Sequence, residues 1–193
     1  MLRLTNVFKL FNPGTVDEKT ALAGINLQLN PGDFVTVIGS NGAGKSTLMN
    51  IISGSMQPDM GEVVIDGRDV TRMPEFKRSA YIGRVFQDPM AGTAPRMTIE
   101  ENLAMALKRG QSRGMRLGVT RRKREMFREH LARLGIGLEN RLRAKVGLLS
   151  GGERQALSLL MATFTNPRIL LLDEHTAALD PARADLITRL TET

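Results

Sequence analysis

Eight consecutive residues, Gly39-Ser40-Asn41-Gly42-Ala43-Gly44-Lys45-Ser46, have the types and order that a phosphate cradle requires. Glycines let the backbone turn tightly and aim successive N–H groups inward, which makes an anion nest at the positive end of the helix that follows. Lys45 is expected to reach the β- and γ-phosphates as a point charge, and the Ser46 hydroxyl to ligate Mg²⁺. Thr47 is a cap or a contact to the α-phosphate. The ligand this loop implies is a nucleotide, ATP with Mg²⁺.

A phosphate loop needs an acidic partner for the metal, and Ile169-Leu170-Leu171-Leu172-Asp173-Glu174 supplies two carboxylates at the end of an apolar run. Asp173 is the candidate to hold Mg²⁺ through its water shell. Glu174, one residue further, is the candidate general base, able to orient or deprotonate the attacking water. Acids after an apolar strand are often only a strand end or a helix cap. The loop at 39–46 is what gives this pair a metal and a phosphate to act on.

The elements that must position these groups follow from periodicity. Leu2 to Phe11 and Ile25 to Leu29 alternate apolar with polar, as half-buried strands do, and Asn30-Pro31-Gly32-Asp33 marks a turn. Phe34-Val35-Thr36-Val37-Ile38 is a continuous β-branched and aromatic run that predicts a strand covered on both faces and leading into Gly39. Ser46 to Ile52 reads as a helix closed by Ser53-Gly54, and Val63 to Ile65 and Tyr81 to Phe86 read as strands. From Pro89 to about Asn166 the spacing is helical, with helices expected near Thr98 to Arg109, Thr120 to Leu134 and Gly152 to Thr165. Ile169 to Leu172 restores a buried strand, and Pro181 suits the first position of a last helix capped by Asp180.

Bulk properties bound the answer. At 193 residues, 41% hydrophobic and 24% charged, the chain suits one folded domain with an inserted lobe. Its apolar runs fall far short of the roughly 20 residues that cross a bilayer, and Met1-Leu2-Arg3-Leu4-Thr5 is unlike a signal peptide, so a cytoplasmic location is expected. The absence of cysteine excludes disulfides and thiolate metal sites. The net charge of +7 is concentrated in Lys108, Arg109, Arg113, Arg116, Arg121, Arg122, Lys123, Arg124 and Arg128. That run is either a solvated helix face or a docking surface for an acidic partner or lipid headgroups.

Leu149-Ser150-Gly151-Gly152-Glu153-Arg154-Gln155 resembles the signature of the ATP-binding cassette (ABC) family. The resemblance implies an α/β fold: a phosphate-loop (P-loop) NTPase core with a mostly parallel sheet, an N-terminal antiparallel β lobe and an inserted α-helical lobe. One cassette would then occupy 1–193, its ATP-binding core and β lobe at 1–88 and 166–193 and its helical lobe at 89–165. In the family the signature of one subunit covers the ATP held by another, so Ser150, Gly151 and Gly152 would serve a second copy in a head-to-tail dimer. Phe11 sits where members carry an aromatic that stacks on adenine; otherwise it is a strand residue. Gln87 resembles the glutamine that senses Mg²⁺ and the attacking water, and Ala178-Leu179-Asp180 the loop at the dimer interface.

Two departures stand out. His175 replaces the usual proline and is expected to be a loop variant. The family also carries a switch histidine after one further strand, whereas this sequence stops at Thr193, and His130 in the helical lobe cannot substitute. On that expectation the chain is C-terminally truncated, binds Mg-ATP and turns it over poorly.

The function implied is the ATP-hydrolysing subunit of a transporter, working through separate transmembrane subunits at the inner face of the cell membrane. Gln87 to Thr98 and Asp173 to Asp180 resemble a bacterial subgroup of amino-acid importers, of tryptophan or tyrosine type. The competing class is a soluble cassette acting on nucleic acid or ribosomes, motivated by the +7 charge. Against it stand the lack of a cysteine cluster, of a coiled-coil insertion and of a second cassette, so nucleic acid is not an expected partner.

Overall fold

The computed structural model describes residues 1–86, 88, 90–111, 114, 115 and 117–173. It divides into two compact units, the first running from Met1 to Ile82 and the second beginning at Gly83.

In the first unit, strands β1 (Leu2–Phe11), β2 (Lys19–Leu29), β3 (Met60–Ile65) and β4 (Arg68–Asp69) form one antiparallel sheet in the order β2-β1-β3-β4. Alternation along β1 buries Leu2 and Leu4, then skips to Val7. The skip is a bulge. Asn6 adopts φ 49°, and the register with β2 shifts between Leu4 and Val7. The Asn26 side chain accepts the Asn6 amide at 2.9 Å and so satisfies the group the bulge releases. This sheet is the antiparallel lobe expected from the sequence, with β2 starting six residues earlier than its alternation suggested.

Helix α1 (Lys45–Ser53) carries Leu48, Ile51 and Ile52 into the core. Gly54 ends it in the left-handed conformation, φ 86°. Beside that terminus lies Arg78, the last residue of the short helix α2 (Glu75–Arg78) and wholly buried. Its guanidinium donates to the carbonyls of Ile51 at 2.6 Å, Ile52 at 3.0 Å, Thr71 at 2.9 Å and Met73 at 2.9 Å. A cation is thus fixed at the negative end of the helix, bonding carbonyls that have no partner within it.

One expectation fails. Phe34 to Ile38 forms no strand among the described residues, and Phe34 is 72% and Ile38 89% exposed. Composition makes a run suitable for a strand, but only hydrogen-bonded neighbours make it one. The described residues give it no ladder.

In the second unit, strands β5 (Ile82–Val85), whose first residue closes the first unit, and β6 (Ile169–Leu172) lie side by side. Helices α3 (Ile99–Leu107), α4 (Arg121–Ala132) and α5 (Gly151–Thr163) pack around Ile99, Leu103, Phe127, Leu131, Leu157 and Leu160. Thr98 opens α3 with a reciprocal capping box to Glu101, and Thr120 caps α4. Buried Glu100 receives Arg124 of α4 in a two-pronged pair at 2.6 and 3.1 Å. Part of the basic run is therefore spent inside the unit, while Arg122 and Arg128 remain exposed. Its Arg113 and Arg116 lie outside the described residues. His130 packs on Phe164 with ring centroids 4.8 Å apart, a structural contact.

Replacing Arg78 by methionine is expected to lower stability by about 3 kcal/mol, because three buried carbonyls and one half-buried one lose a charged donor. A urea titration followed by circular dichroism checks it, and an unchanged midpoint would count against the assignment.

Candidate functional site: a phosphate loop and its pocket

The loop from Gly39 to Lys45 turns on two glycines in the left-handed region, Gly42 at φ 82° and Gly44 at φ 89°. Gly44 is the residue preceding α1, and a Cβ there would collide with the carbonyl oxygen of Ala21 in β2. Both the backbone angle and the space demand glycine. The close approach seats the loop against β2 and starts the helix where its first N–H groups face the loop.

Lys45 donates from Nζ to the carbonyl oxygens of Gly39 at 2.5 Å and Ser40 at 2.9 Å. The side chain bridges the mouth of the loop and holds its start near its end. The Ala43 amide donates to the Ser40 carbonyl at 3.2 Å and closes the turn. Asn41, Gly42 and Ser46 are exposed, as binding groups must be.

Beside the loop is an open pocket of about 230 Å³ lined by Phe11, Lys19, Ala21, Gly42, Gly44, Lys45, Ser46 and Thr47. The fold thus brings Phe11, from the end of β1, to the same pocket as the phosphate loop, 28 residues and more distant in sequence. Lys19 faces Phe11 across the β1–β2 register. Neither Lys19 nor Ala21 was predictable from a motif. Their signal was positional, since the residue opposite the aromatic on a hairpin must share its end of the sheet.

In the second unit, Asp173 follows β6, and its amide donates to the Val85 carbonyl at 3.0 Å. Its Oδ2 accepts Arg84 Nη2 at 3.1 Å, and the Arg84 guanidinium lies 4.7 Å from the Phe86 ring centroid. Arg84 is a residue that sequence reasoning missed. It clamps the carboxylate expected to serve the metal from the strand that leads to Gln87.

Ser150 caps α5, accepting the Glu153 amide at 3.2 Å, while Glu153 Oε2 accepts the Ser150 amide at 2.7 Å. Glu153 also accepts Arg141 at 2.7 Å. The amide bond from Ser150, first, and Arg141 hold this carboxyl below the usual range. Gly151 and Gly152 are exposed, and none of the described residues lies within 4 Å of where their side chains would stand. Packing among the described residues does not require glycine there. Gln87, Glu174, His175 and residues 178–181 lie outside the described residues.

A glycine loop seated between a strand and a helix N-terminus, with a lysine across it and an aromatic beside it, defines a nucleotide-phosphate site of the P-loop class. The ABC transporter family profile matches residues 22–177. The chain is 41% identical over 193 residues to the tyrosine transport ATP-binding protein of Clostridioides difficile (strain R20291), covering all of this chain and 76% of that one. It is 37% identical over 182 residues to a spermidine/putrescine import ATP-binding protein of Spiroplasma citri, covering 93% of this chain and 47% of the relative. A solved dimeric ATP-binding cassette in a post-hydrolysis state bound to ADP and Pi superposes with TM-score 0.79 at 32% identity, over 98% of this chain and 81% of that one. The chain belongs to the ABC transporter family. It has the fold of an ATP-binding cassette, and its activity class is that of an ATPase. Among the described residues no helix is long and apolar enough to cross a membrane.

Substituting Gly44 by alanine is expected to displace the loop from β2 and weaken ATP binding by at least about tenfold, since strain at φ > 0 adds to the collision. Equilibrium nucleotide binding by the variant checks this. Wild-type affinity would contradict it.

Proposed function

We propose that this chain is the ATP-driven subunit of an importer, binding and hydrolysing Mg-ATP and passing the resulting closure to separate transmembrane subunits. The observation that carries the reading is the pocket that gathers Phe11, Lys45, Ser46 and Thr47 around the glycine loop. Phe11 stacks on the adenine ring. The N–H groups of Gly39, Ser40, Asn41, Gly42, Ala43 and Gly44 cradle the phosphates, and Lys45 exchanges its carbonyl partners for phosphate oxygens.

The oxygen donors fit a hard cation: the Ser46 hydroxyl lines the pocket, and Asp173 supplies a carboxylate after β6. Ser46, Asp173 and Gln87 would hold Mg²⁺. Bound there, the ion neutralises charge on the phosphate oxygens. Glu174 orients the water and takes its proton. Arg84 fixes the Asp173 carboxylate from one side.

Ser150, Gly151 and Gly152 serve a second copy in a head-to-tail dimer. Their exposed glycines leave the α5 N-terminus open to close approach by phosphate oxygens. The solved relatives that are dimeric cassettes support this arrangement. An amino acid of tyrosine type is the proposed cargo, on the strength of the relative that carries that name. The proposed location is cytoplasmic, at the inner face of the membrane, bound to the transmembrane partner. One domain is proposed, with its core at 1–88 and 166–193 and its helical lobe at 89–165.

Lys45→Ala is expected to weaken Mg-ATP binding by about tenfold or more, through loss of a charge-assisted contact. Glu174→Gln is expected to leave binding intact and slow hydrolysis on the order of 100-fold. Calorimetry and phosphate release measure the two. Equal turnover by Glu174→Gln and wild type would remove Glu174 as the base. Purification from cells with its neighbouring membrane proteins tests the transporter reading, and a stable complex containing none of them would contradict it.

A further inference from the structure

Lys19 stands in the phosphate pocket without a role in the loop motif, and it lies outside the residues that the family profile matches. It begins β2, directly across from Phe11. Its Nζ is 3.2 Å from the point where a Cβ on Gly42 would sit, so the ammonium hangs over the exposed turn of the loop. Among the described residues it has no hydrogen-bonding or ion-pair partner. The neighbouring lysine on β1 differs: Lys9 is held by Asp59 at 2.8 Å. Lys45 is also engaged, through the carbonyls of Gly39 and Ser40.

An unpaired ammonium beside a nest of N–H groups has one complementary ligand class, a polyanion lying in that nest. Lysine suits the task because its flexible stem lets a compact charge follow the oxygen it meets. Lys19, from β2, and Lys45, from the loop, line the same pocket, so two cations are available to one phosphate chain. Glycine at position 42 keeps the space between Lys19 and the loop clear.

We propose that Lys19 is a second phosphate-binding cation of this site, contacting the polyphosphate chain of the nucleotide from β2 while Lys45 contacts it from the loop. The proposal rests on the nucleotide-site reading given above. It makes Lys19 a binding residue whose contribution is electrostatic and therefore sensitive to salt.

The test compares wild type, Lys19→Met, Lys19→Arg and Lys45→Ala in equilibrium binding of Mg-ATP and in competition by inorganic tripolyphosphate. Measurements at about 50 and about 200 mM salt span the range in which exposed charges become screened. Lys19→Met is expected to weaken ATP and tripolyphosphate alike, by about fivefold at the lower salt, as one exposed ion pair allows. Lys19→Arg is expected to recover most of that loss, and wild type to lose more affinity with salt than Lys19→Met. Thermal unfolding of each variant by circular dichroism separates misfolding from lost contact, and Lys19→Arg then carries the comparison. Unchanged ATP affinity in folded Lys19→Met would overturn the proposal. So would weaker ATP binding with tripolyphosphate unaffected, which would place Lys19 on the nucleoside. If Lys45→Ala binds as wild type does, or wild type binds neither probe, the nucleotide-site reading itself fails, an outcome distinct from a neutral Lys19.

Discussion

The close approach of the phosphate loop to β2 is the constraint on which the first unit depends. A loop of exposed N–H groups has no intrinsic reason to hold one shape, because water satisfies it in many. Here Gly44 lies so near the Ala21 carbonyl that no other residue fits, and the loop is fixed against a strand that the sheet already holds. The same contact delivers Lys19 and Phe11 to the loop, since both occupy the end of the β1–β2 hairpin. At the far end of α1, the Arg78 guanidinium binds the last carbonyls and fills the space beside Gly54. A helix secured at both ends presents its N-terminal dipole to the pocket in a constant direction, which an anion site requires.

The second unit uses another device for a related purpose. Ser150 and Glu153 satisfy each other's backbone amides, so α5 begins with its cap already made from within. The adjacent glycines then remain as bare backbone at the surface, available to something outside the unit. Asp173 is treated differently again, with its amide in the β5–β6 pairing and its carboxylate gripped by Arg84. Both groups are thus held in place by hydrogen bonds from within the second unit.

What could be read from the sequence divides along the same physical lines. The loop, the α1 helix, the β1 strand and the helical spacing after Thr98 were legible because each is set by local rules: glycine freedom, capping and periodicity. The Arg78 anchor was not, since nothing in a basic residue near a short helix announces that it will be buried among four carbonyls. The Asp173 to Arg84 pair was hidden for a similar reason, the two residues being joined only by strand pairing across the whole helical region. The run from Phe34 to Ile38 misled because hydrophobicity reports what a strand tolerates, whereas pairing decides whether it exists. Gln87 rests on the family resemblance and Glu174 on its place one residue after Asp173, and both lie outside the described residues.

Residues 39–47, with Phe11 and Lys19 beside them, are the proposed nucleotide site. Following the backbone amide resonances of the isotope-labelled chain during a Mg-ATP titration tests it most directly. Saturable shifts centred on Gly39 to Thr47 and on the ends of β1 and β2 are the predicted result. Shifts centred elsewhere, or none at millimolar nucleotide, would contradict it.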